Sequence, residues 1–327
     1  MPTIAPAPAA LTAPPSFAGV LAAAEAIAGT LPATPAWSYP TLDALVGARV
    51  VVKHENVQPT GAFKVRGGVA LAAALDADER SRGVVTVSTG NHAQSIAFAA
   101  RASGFHAVIV MPTSAPAVKV DAVLALGAEV IIHGASMPEA CAHAREVGRR
   151  RGMRWVDPGA EHAIIHGHAT VALELLRSHP EIETLYVPIG SGSGAAGAIL
   201  VRDAIAPGTR IVGVQSAGAP AAHRSWRAGR VESAPIDTFA SGLATGVGVE
   251  TTQAILRRGL DDFILVSDDQ LRAAMCAMAG SAHTLCEGAG AAGLAAILAD
   301  ADRPSTVAFA CTGGNASTDE LRELAAA

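Results

Sequence analysis

The feature that most constrains the fold is a regular alternation of short apolar runs with longer helical patterns. From Arg49 onward, eight runs rich in β-branched and other apolar residues recur, and Ala-rich helical patterns lie between them. Strands that alternate with helices form parallel sheets through right-handed crossovers, so an α/β protein is predicted. The runs are continuously apolar, which is typical of strands covered on both faces. The predicted strands are 48–53, 83–88, 106–111, 128–134, 183–189, 210–215, 262–267 and 306–311.

Composition excludes several other classes of protein. Half of the 327 residues are apolar and only 16% are charged, which indicates a compact globular chain. The net charge is −5 and no basic stripe is present, so nucleic acid is not an expected partner. No uncharged apolar run approaches the about 20 residues that a membrane-spanning helix needs.

The cysteines and the N-terminal region indicate where the protein works. None of the four cysteines forms a CxxC pair, which fits a reduced, cytoplasmic setting. No basic residue precedes Arg49, so no targeting leader is expected. Residues 1–16 are rich in alanine and proline and are predicted to be disordered.

Three loops rich in glycine and hydroxyl residues follow predicted strands. They are Ser88–His92, Gly190–Gly194 and Thr312–Asn315. Ligands of α/β sheets bind at the carboxyl ends of strands, so these loops are candidates for one binding site. Ser317 and Glu320 have the spacing of a capping box, which predicts a helix after the third loop.

The loop Gly190–Gly194 predicts an anion site. Small residues allow backbone N–H groups to surround a phosphate, and the following helix adds its partial positive charge. A tight turn is the plainer alternative. The G-x-G-x-x-G spacing that begins at Gly192 also matches a dinucleotide fingerprint, but the next strand ends in Gln215 and Ser216 and supplies no acid for a ribose. A nicotinamide-linked oxidoreductase therefore remains the weaker alternative.

Lysine is scarce, and one lysine lies in an unusual context. The chain contains only Lys53, Lys64 and Lys119, and Lys64 stands in the stretch PTGAFKVRGG between Phe63 and a pair of glycines. A lysine can bind an aldehyde cofactor covalently as a Schiff base. A phosphate loop without nucleotide features points to such a cofactor, although a surface lysine is the plain alternative.

Five motifs together resemble one family. KHENVQPTGAFKVRGG, VSTGNHAQSIAFAA, YVPIGSGSGAAG, CEGAGAAGLAAIL and CTGGN occur in the order and with the spacing of the pyridoxal-phosphate-dependent serine/threonine dehydratases (ammonia-lyases). That family has fold type II, like tryptophan synthase β. The resemblance implies two open, twisted, mainly parallel sheet domains with the cofactor in the cleft between them. It implies a large domain of 17–82 with 160–327, and a small domain of 83–159.

The resemblance also assigns roles to residues. Lys64 would bind pyridoxal 5′-phosphate as a Schiff base and then act as base at the substrate Cα. The implied cofactor-binding residues are Phe63, Lys64, Asn91, Gly190, Ser191, Gly192, Ser193, Gly194, Glu287 and Thr312. The implied substrate-binding residues are Ser88, Thr89, Gly90, Asn91, His92 and His168. Lys64 and Thr89 are the catalytic candidates.

The implied reaction follows from Thr312, which would face the pyridine nitrogen. A hydroxyl there leaves the nitrogen largely unprotonated and favours β-elimination over transamination. We therefore expect loss of water from L-threonine, L-serine or a related β-hydroxy-α-amino acid, giving a 2-oxo acid and ammonia. A β-replacement enzyme and a serine racemase-like enzyme are the alternatives. Racemisation is disfavoured because Thr89 stands where racemising relatives use serine as the second base.

Metal sites and partners complete the expectations. Gln215, Ala217 and Ala219 offer no carboxylate where metal-activated relatives carry acids, so no metal is predicted. His162, His166 and His168 have spacing that could bind a metal, shape the substrate pocket through His168, or serve structure alone. The expected partners are a small amino-acid substrate and a second copy of the chain in a homodimer, with neither nucleic acid nor membrane.

Overall fold

The computed structural model describes residues 9–326 as an α/β fold. The strands are β1 (Ala36–Trp37), β2 (Arg49–His54), β3 (Val84–Val87), β4 (Ala107–Met111), β5 (Glu129–Ile132), β6 (Arg154–Trp155), β7 (Thr184–Pro188), β8 (Arg210–Ser216), β9 (Asp262–Val266) and β10 (Thr306–Cys311). All eight predicted strands are present within a few residues of their expected bounds. β1 and β6 were not predicted because two-residue strands leave no apolar run in the sequence.

Helices connect most of the strands. They are α1 (Ala9–Thr12), α2 (Phe17–Ala28), α3 (Pro40–Val46), α4 (Lys64–Ala74), α5 (Ala77–Arg82), α6 (Asn91–Ser103), α7 (Ala117–Ala125), α8 (Met137–Arg151), α9 (His162–Ser178), α10 (Ser193–Ile205), α11 (Ala221–Ala228), α12 (Glu250–Gly259), α13 (Asp268–Ala282), α14 (Gly288–Ala299) and α15 (Thr318–Ala326). Within residues 9–326, every helix is too short or too polar to span a bilayer.

The chain forms two compact units. Unit 1 contains the described residues up to Leu31 together with Lys64–Gly167, and unit 2 contains Pro32–Phe63 together with the chain from His168 onward. These bounds differ from the predicted domains, which placed 17–82 with the C-terminal half. The difference arises in unit 1, where α2 and α4 share an apolar cluster that includes Ile27 and Val69.

Unit 1 is built on a four-stranded parallel sheet. The strand order is β5-β4-β3-β6. Successive residues of β4 enter opposite clusters: Ile109 packs with α6 residues, whereas Val108 and Val110 pack with α8 residues such as Ala144. Both faces of the sheet are therefore covered, which explains the continuous apolar runs. The carboxyl end of β3 leads directly into the loop Ser88–Gly90 and α6.

The N-terminal region corrects one expectation. Residues 1–8 lie outside the described part of the chain, but Ala9–Thr12 form α1 and Leu11 is fully buried. His166 Nδ1 lies 3.2 Å from the Leu11 carbonyl oxygen, and His162 Nδ1 lies 3.3 Å from that of Thr12. The prediction of disorder is wrong for residues 9–16, because a single leucine and two histidine contacts fix a segment whose composition is uninformative.

Unit 2 is built on a six-stranded sheet in the order β1-β2-β10-β7-β8-β9. All neighbours are parallel except β1, which pairs antiparallel with β2. One face packs against α13 and α14, with Tyr186 and Phe309 in that core. Gly293 of α14 permits this packing, since a Cβ there would lie 2.4 Å from Phe309 Cβ.

The strand order of unit 2 gathers three of the five motifs. β2, β10 and β7 are adjacent and parallel, so their carboxyl ends lie at one edge of the sheet. β2 leads towards the lysine motif, β10 into Thr312–Asn315, and β7 into Gly190–Gly194. The predicted capping box is confirmed: Ser317 N–H donates to Glu320 Oε2 at 2.6 Å, and Glu320 N–H donates to Ser317 Oγ at 3.2 Å.

Candidate active site

In unit 2, the segment that ends at Phe63 is hydrogen-bonded to the loop that follows β10. Phe63 N–H donates to the Thr312 carbonyl at 2.9 Å, and Gly314 N–H donates to the Gly61 carbonyl at 2.9 Å. Gly61 has φ +67°, and a Cβ there would lie 2.6 Å from Asn315 Oδ1. Only glycine suits this position. The two motifs therefore hold Phe63 beside Thr312.

The glycine loop of unit 2 is tightly enclosed. Gly192 has φ +91°, and a Cβ there would lie 2.9 Å from Thr252 Oγ1. A Cβ on Gly190 would lie 2.5 Å from the Gly242 carbonyl oxygen. Thr252 Oγ1 also donates to the Ser191 carbonyl at 2.6 Å. A Cβ is thus excluded at positions 190 and 192, and the backbone N–H groups of the turn and the start of α10 provide donors for an anion.

His168 links the glycine loop to Phe63. Its Nδ1 lies 2.9 Å from Ser193 Oγ, and its ring centroid lies 4.6 Å from that of Phe63 at an interplanar angle of 50°. His168 and Ser193 are almost completely buried. This histidine therefore contacts two predicted cofactor residues in unit 2.

Four predicted residues line one cavity of unit 2. Phe63, His168, Gly194 and Thr312 contribute to its wall, and apolar side chains of α9, α10, β7 and β10 complete it. The Thr312 hydroxyl donates to the Ala289 carbonyl at 3.2 Å, a long bond that rotation of the hydroxyl can exchange for another partner. These residues lie far apart in sequence, so the fold brings together three predicted cofactor contacts, Phe63, Gly194 and Thr312, and one predicted substrate contact, His168.

Unit 1 positions Lys64 at the first turn of α4. Ser95 Oγ donates to the Lys64 carbonyl at 2.5 Å and accepts from Gly68 N–H at 3.1 Å. A Cβ on Gly68 would lie 2.4 Å from the Ser95 carbonyl oxygen, so glycine allows α4 and α6 to approach closely. Burial lowers the pKa of the Lys64 ammonium to about 8, because removal from water disfavours the charged form. The amine is therefore a nucleophile and base near neutral pH.

The second feature of unit 1 is the loop between β3 and α6. Ser88, Thr89, Gly90 and Asn91 are all partly exposed. Gly90 N–H donates to Ser88 Oγ at 3.1 Å, and α6 begins at Asn91. The hydroxyls and the helix N-terminus form a donor-rich region that suits a carboxylate.

His92 faces the interior of unit 1. Thr86 Oγ1 donates its one hydrogen to the Val156 carbonyl at 2.8 Å. His92 Nε2 lies 3.1 Å from Thr86 Oγ1 and must therefore donate to that hydroxyl oxygen. Burial, and secondly the charge of Lys64, lowers the pKa of His92 to about 3. The imidazole is therefore neutral with its proton on Nε2, and its predicted contact with substrate remains a prediction.

His166 and Glu287 also have identifiable contacts. His166 accepts from Ser16 N–H at 3.1 Å, so its Nδ1 carries the proton that binds the Leu11 carbonyl. No group of His, Cys, Asp and Glu within residues 9–326 is arranged to bind a metal. Glu287 is buried in unit 2, and its N–H donates to the Gly313 carbonyl at 3.1 Å, beside Thr312.

Comparison with known proteins settles the family. The family described as "Pyridoxal-phosphate dependent enzyme" matches residues 27–313. The chain belongs to this family.

Relatives of this pyridoxal-phosphate-dependent enzyme include proteins named as ammonia-lyases and proteins named as racemases. The chain is 36% identical to an L-threonine ammonia-lyase of Thermotoga maritima over 86% of this chain and 71% of the relative. It is 38% identical to a serine racemase of Oryza sativa subsp. indica over 89% of this chain and 88% of the relative. Maize serine racemase has a similar structure, with TM-score 0.91, 34% identity and coverage of 95% and 97%. The chain spans about half the length of some other curated relatives, 52% for the biosynthetic threonine dehydratase of Pasteurella multocida.

The residues present fit pyridoxal phosphate. The glycine turn has no space for a Cβ at positions 190 and 192 and offers backbone donors for a phosphate. Lys64 supplies an amine with a lowered pKa, and Phe63 and Thr312 supply an apolar ring contact and a hydroxyl. The family and cofactor predicted from the sequence are confirmed, whereas the role of each residue remains a proposal.

Several residues that support these features were not among the residues predicted from the sequence. Thr252 and Gly242 enclose the glycine loop, and Ser95 holds the start of α4. The stretch ASGLATGVGVETT, residues 240–252, contains three glycines and four hydroxyl residues, and this composition could have identified it. Ser95 gave no such signal, because a serine inside a helical pattern is ordinary.

Proposed function

We propose that this enzyme is an ammonia-lyase that removes water from L-threonine, L-serine or another β-hydroxy-α-amino acid, and that hydrolysis of the released enamine then yields a 2-oxo acid and ammonia. The carrying observation is the cavity of unit 2 that Phe63, His168, Gly194 and Thr312 line. Lys64 follows Phe63 directly in the chain. The name of the Thermotoga relative supports this choice of reaction.

Lys64 has the central role in the proposal. Pyridoxal phosphate withdraws electrons from the Cα of a bound amino acid and so makes its proton removable. The Lys64 amine would hold the cofactor covalently until substrate arrives and would then take the Cα proton. A pKa of about 8 suits both tasks, since a sizeable fraction is neutral near pH 7 and the ammonium can return a proton.

Thr312 supports elimination in this proposal. A hydroxyl beside the pyridine nitrogen does not force that nitrogen into its charged form, as a carboxylate would. Electron withdrawal is then weaker, and loss of the Cα proton is best coupled to departure of the β-hydroxyl. The partly exposed loop Ser88–Asn91 would bind the substrate carboxylate through hydroxyls and the N-terminus of α6.

Serine racemisation is the second candidate, because racemases are similar to this chain over most of its length. Racemisation needs an acid–base group on the face of Cα opposite Lys64. By the motif resemblance, Thr89 would stand where racemising relatives use serine, and its branched side chain has fewer accessible rotamers. We therefore propose elimination as the main reaction, with chiral analysis of residual serine as the measure of any racemisation.

The test compares Lys64→Ala with Lys119→Ala, a matched lysine on α7. Purified protein is assayed for 2-oxo acid and ammonia with a panel of β-hydroxy amino acids, and its visible absorption is recorded. We expect Lys64→Ala to lose the cofactor band and to lower turnover at least about 10³-fold, as removal of a base and covalent anchor requires. Lys119→Ala should match wild type. Full turnover in Lys64→Ala refutes the mechanism.

Three further properties of the enzyme are part of this proposal and remain predictions. A homodimer, a cytoplasmic location and independence from divalent metal are consistent with the proposed reaction. Sedimentation of the holoenzyme measures the first of these directly.

A further inference from the structure

His168 occupies a position that the proposed reaction does not yet use. It lies on α9, is 1% exposed, and approaches Ser193 Oγ to 2.9 Å through Nδ1. Close packing of α9 and α10 brings the two residues together, since a Cβ on Gly197 would lie 2.7 Å from Ala169 Cα. The histidine is thus held against the first residue of α10.

We propose that His168 is a positioning residue that orients the Ser193 hydroxyl towards the cofactor phosphate. The inference rests on the proposed assignment of the loop Gly190–Gly194 to that phosphate. His168 would therefore set how much the phosphate contributes to cofactor affinity, acting through Ser193 and not on the substrate.

Counting hydrogens gives the direction of the contact. Ser193 has a single hydroxyl hydrogen, and the oxygens of a phosphate dianion accept hydrogen bonds only. If Ser193 gave its hydrogen to His168, its lone pairs would face the anion and repel it. If His168 Nδ1–H donates to Ser193 Oγ, the hydroxyl hydrogen remains available for the phosphate. Anion binding therefore selects the form of His168 that carries a proton on Nδ1.

The same imidazole also packs against Phe63. The two ring centroids are 4.6 Å apart, and Phe63 Cε2 lies 3.6 Å from the position of a Cβ on Gly194. His168 consequently restrains a residue predicted to pack on the cofactor ring and a residue predicted to bind its phosphate. The phosphate effect can be separated from the ring effect by comparing pyridoxal phosphate with pyridoxal.

The experiment measures the dissociation constants of both aldehydes for the apoprotein. The ratio of the pyridoxal constant to the pyridoxal phosphate constant reports the phosphate contribution. We compare His168→Leu, which lacks a donor, with His168→Gln, whose amide N–H can donate to Ser193. His162→Gln is the matched control, because the same change on the same helix lies at the contact with Thr12.

We expect His168→Leu to lower the ratio about tenfold, consistent with the loss of one hydrogen bond to a group that binds an anion. His168→Gln should restore the ratio to within about threefold of wild type, and His162→Gln should leave it unchanged. Ser193→Ala should lower the ratio to a similar degree. The double variant Ser193→Ala with His168→Leu should then equal Ser193→Ala alone, because His168 acts through the hydroxyl.

Two results would overturn the proposal: an unchanged ratio in His168→Leu, or effects of the two substitutions that add. If His168→Leu does not fold, the ring-nitrogen signals of His168 in the wild type provide the test. A proton on Nδ1 after addition of pyridoxal phosphate supports the proposal, and a proton on Nε2 alone contradicts it. If the wild type binds both aldehydes equally well, the assignment of the loop Gly190–Gly194 to the cofactor phosphate is refuted. If the wild type releases no ammonia but its ratio favours pyridoxal phosphate, only the proposed reaction is refuted.

Discussion

The two helices that begin next to glycine-rich loops, α10 in unit 2 and α6 in unit 1, differ in how their first turns are held. At α10, Ser191 accepts from Thr252, Ser193 contacts His168, and Gly190 and Gly192 have no space for a Cβ. At α6, the loop residues Ser88 and Gly90 make longer hydrogen bonds. Ser88 N–H donates to the Val110 carbonyl at 3.4 Å, and a Cβ on Gly90 would meet nothing within 4 Å.

This difference corresponds to two kinds of ligand. A site whose donors are already held in place loses little entropy on binding and suits a group that stays bound, such as a cofactor phosphate. A partly exposed loop whose glycine has open space around it can adjust and release, which suits a substrate carboxylate that enters and leaves in each turnover. The predictions below test whether the two helix starts can be separated in this way.

The largest effect is expected at the glycine turn. In Gly192→Ala the left-handed backbone is unfavourable for alanine, and the new Cβ lies 2.9 Å from Thr252 Oγ1. We expect at least a 100-fold loss of pyridoxal phosphate affinity, equivalent to about 2.7 kcal/mol. Gly90→Ala has space and no left-handed angle, so it should change that affinity by less than about threefold.

A control must exclude backbone strain alone as the cause of the affinity loss in Gly192→Ala. Gly229 has φ +71° in unit 2 and open space around its Cα, so Gly229→Ala introduces the strain without touching the loop. Its cofactor affinity should equal that of wild type in a fluorescence titration. Equal losses in Gly90→Ala and Gly192→Ala would remove the distinction between the two helix starts.

The next effect concerns Lys64, because burial lowers the pKa of its ammonium from 10.5 to about 8. The neutral amine is the reactive form, and its fraction rises tenfold per pH unit below the pKa and levels above it. The rate at which apoprotein takes up pyridoxal phosphate should therefore increase about tenfold per unit up to pH 8 and then flatten. Stopped-flow absorbance measures this, and a midpoint near 10.5 would contradict the desolvated environment.

These helix starts also show what sequence alone can predict. The eight strands, the loop positions and the capping box at Ser317 were readable because each depends on local composition or spacing. The glycines at 190 and 192 were likewise identifiable as a turn without side chains. These features are written in a few adjacent residues, and the family resemblance supplied the order of the motifs.

The features that sequence did not predict depend on distant packing. Thr252 meets Ser191 across 61 positions, and although the glycine-rich and hydroxyl-rich stretch 240–252 stands out in the sequence, it does not indicate which residue Thr252 contacts. The unit bounds depend on α2 and α4 sharing a core, and order at Leu11 depends on His166 at 155 positions away. Contacts of this kind follow from the fold and leave no local pattern. For this reason composition alone wrongly predicted disorder for residues 9–16.

A smaller effect is expected from Thr252→Val, which keeps the shape of the side chain and removes the bond to the Ser191 carbonyl. One buried hydrogen bond contributes about 1 kcal/mol, so affinity for pyridoxal phosphate should fall about fivefold. Thr209→Val is the matched control. That buried threonine donates to the Ile182 carbonyl at 2.9 Å in the same unit, and its loss should lower only the free energy of unfolding. Equal affinities in the two variants would show that the hydrogen bond from Thr252 to the Ser191 carbonyl is unimportant for cofactor binding.

The smallest effect is expected from Ser88→Ala at the start of α6. The Ser88 hydroxyl accepts from Gly90 N–H at 3.1 Å and belongs to the loop assigned to the substrate carboxylate. Because the loop is adjustable and retains its backbone donors, we expect KM for the preferred amino acid to rise only about threefold, with kcat and cofactor affinity unchanged. Ser88→Thr keeps the hydroxyl and should restore KM. A fall in cofactor affinity in Ser88→Ala, with KM unchanged, would mean that this loop serves the permanent ligand and that the two helix starts have the same task.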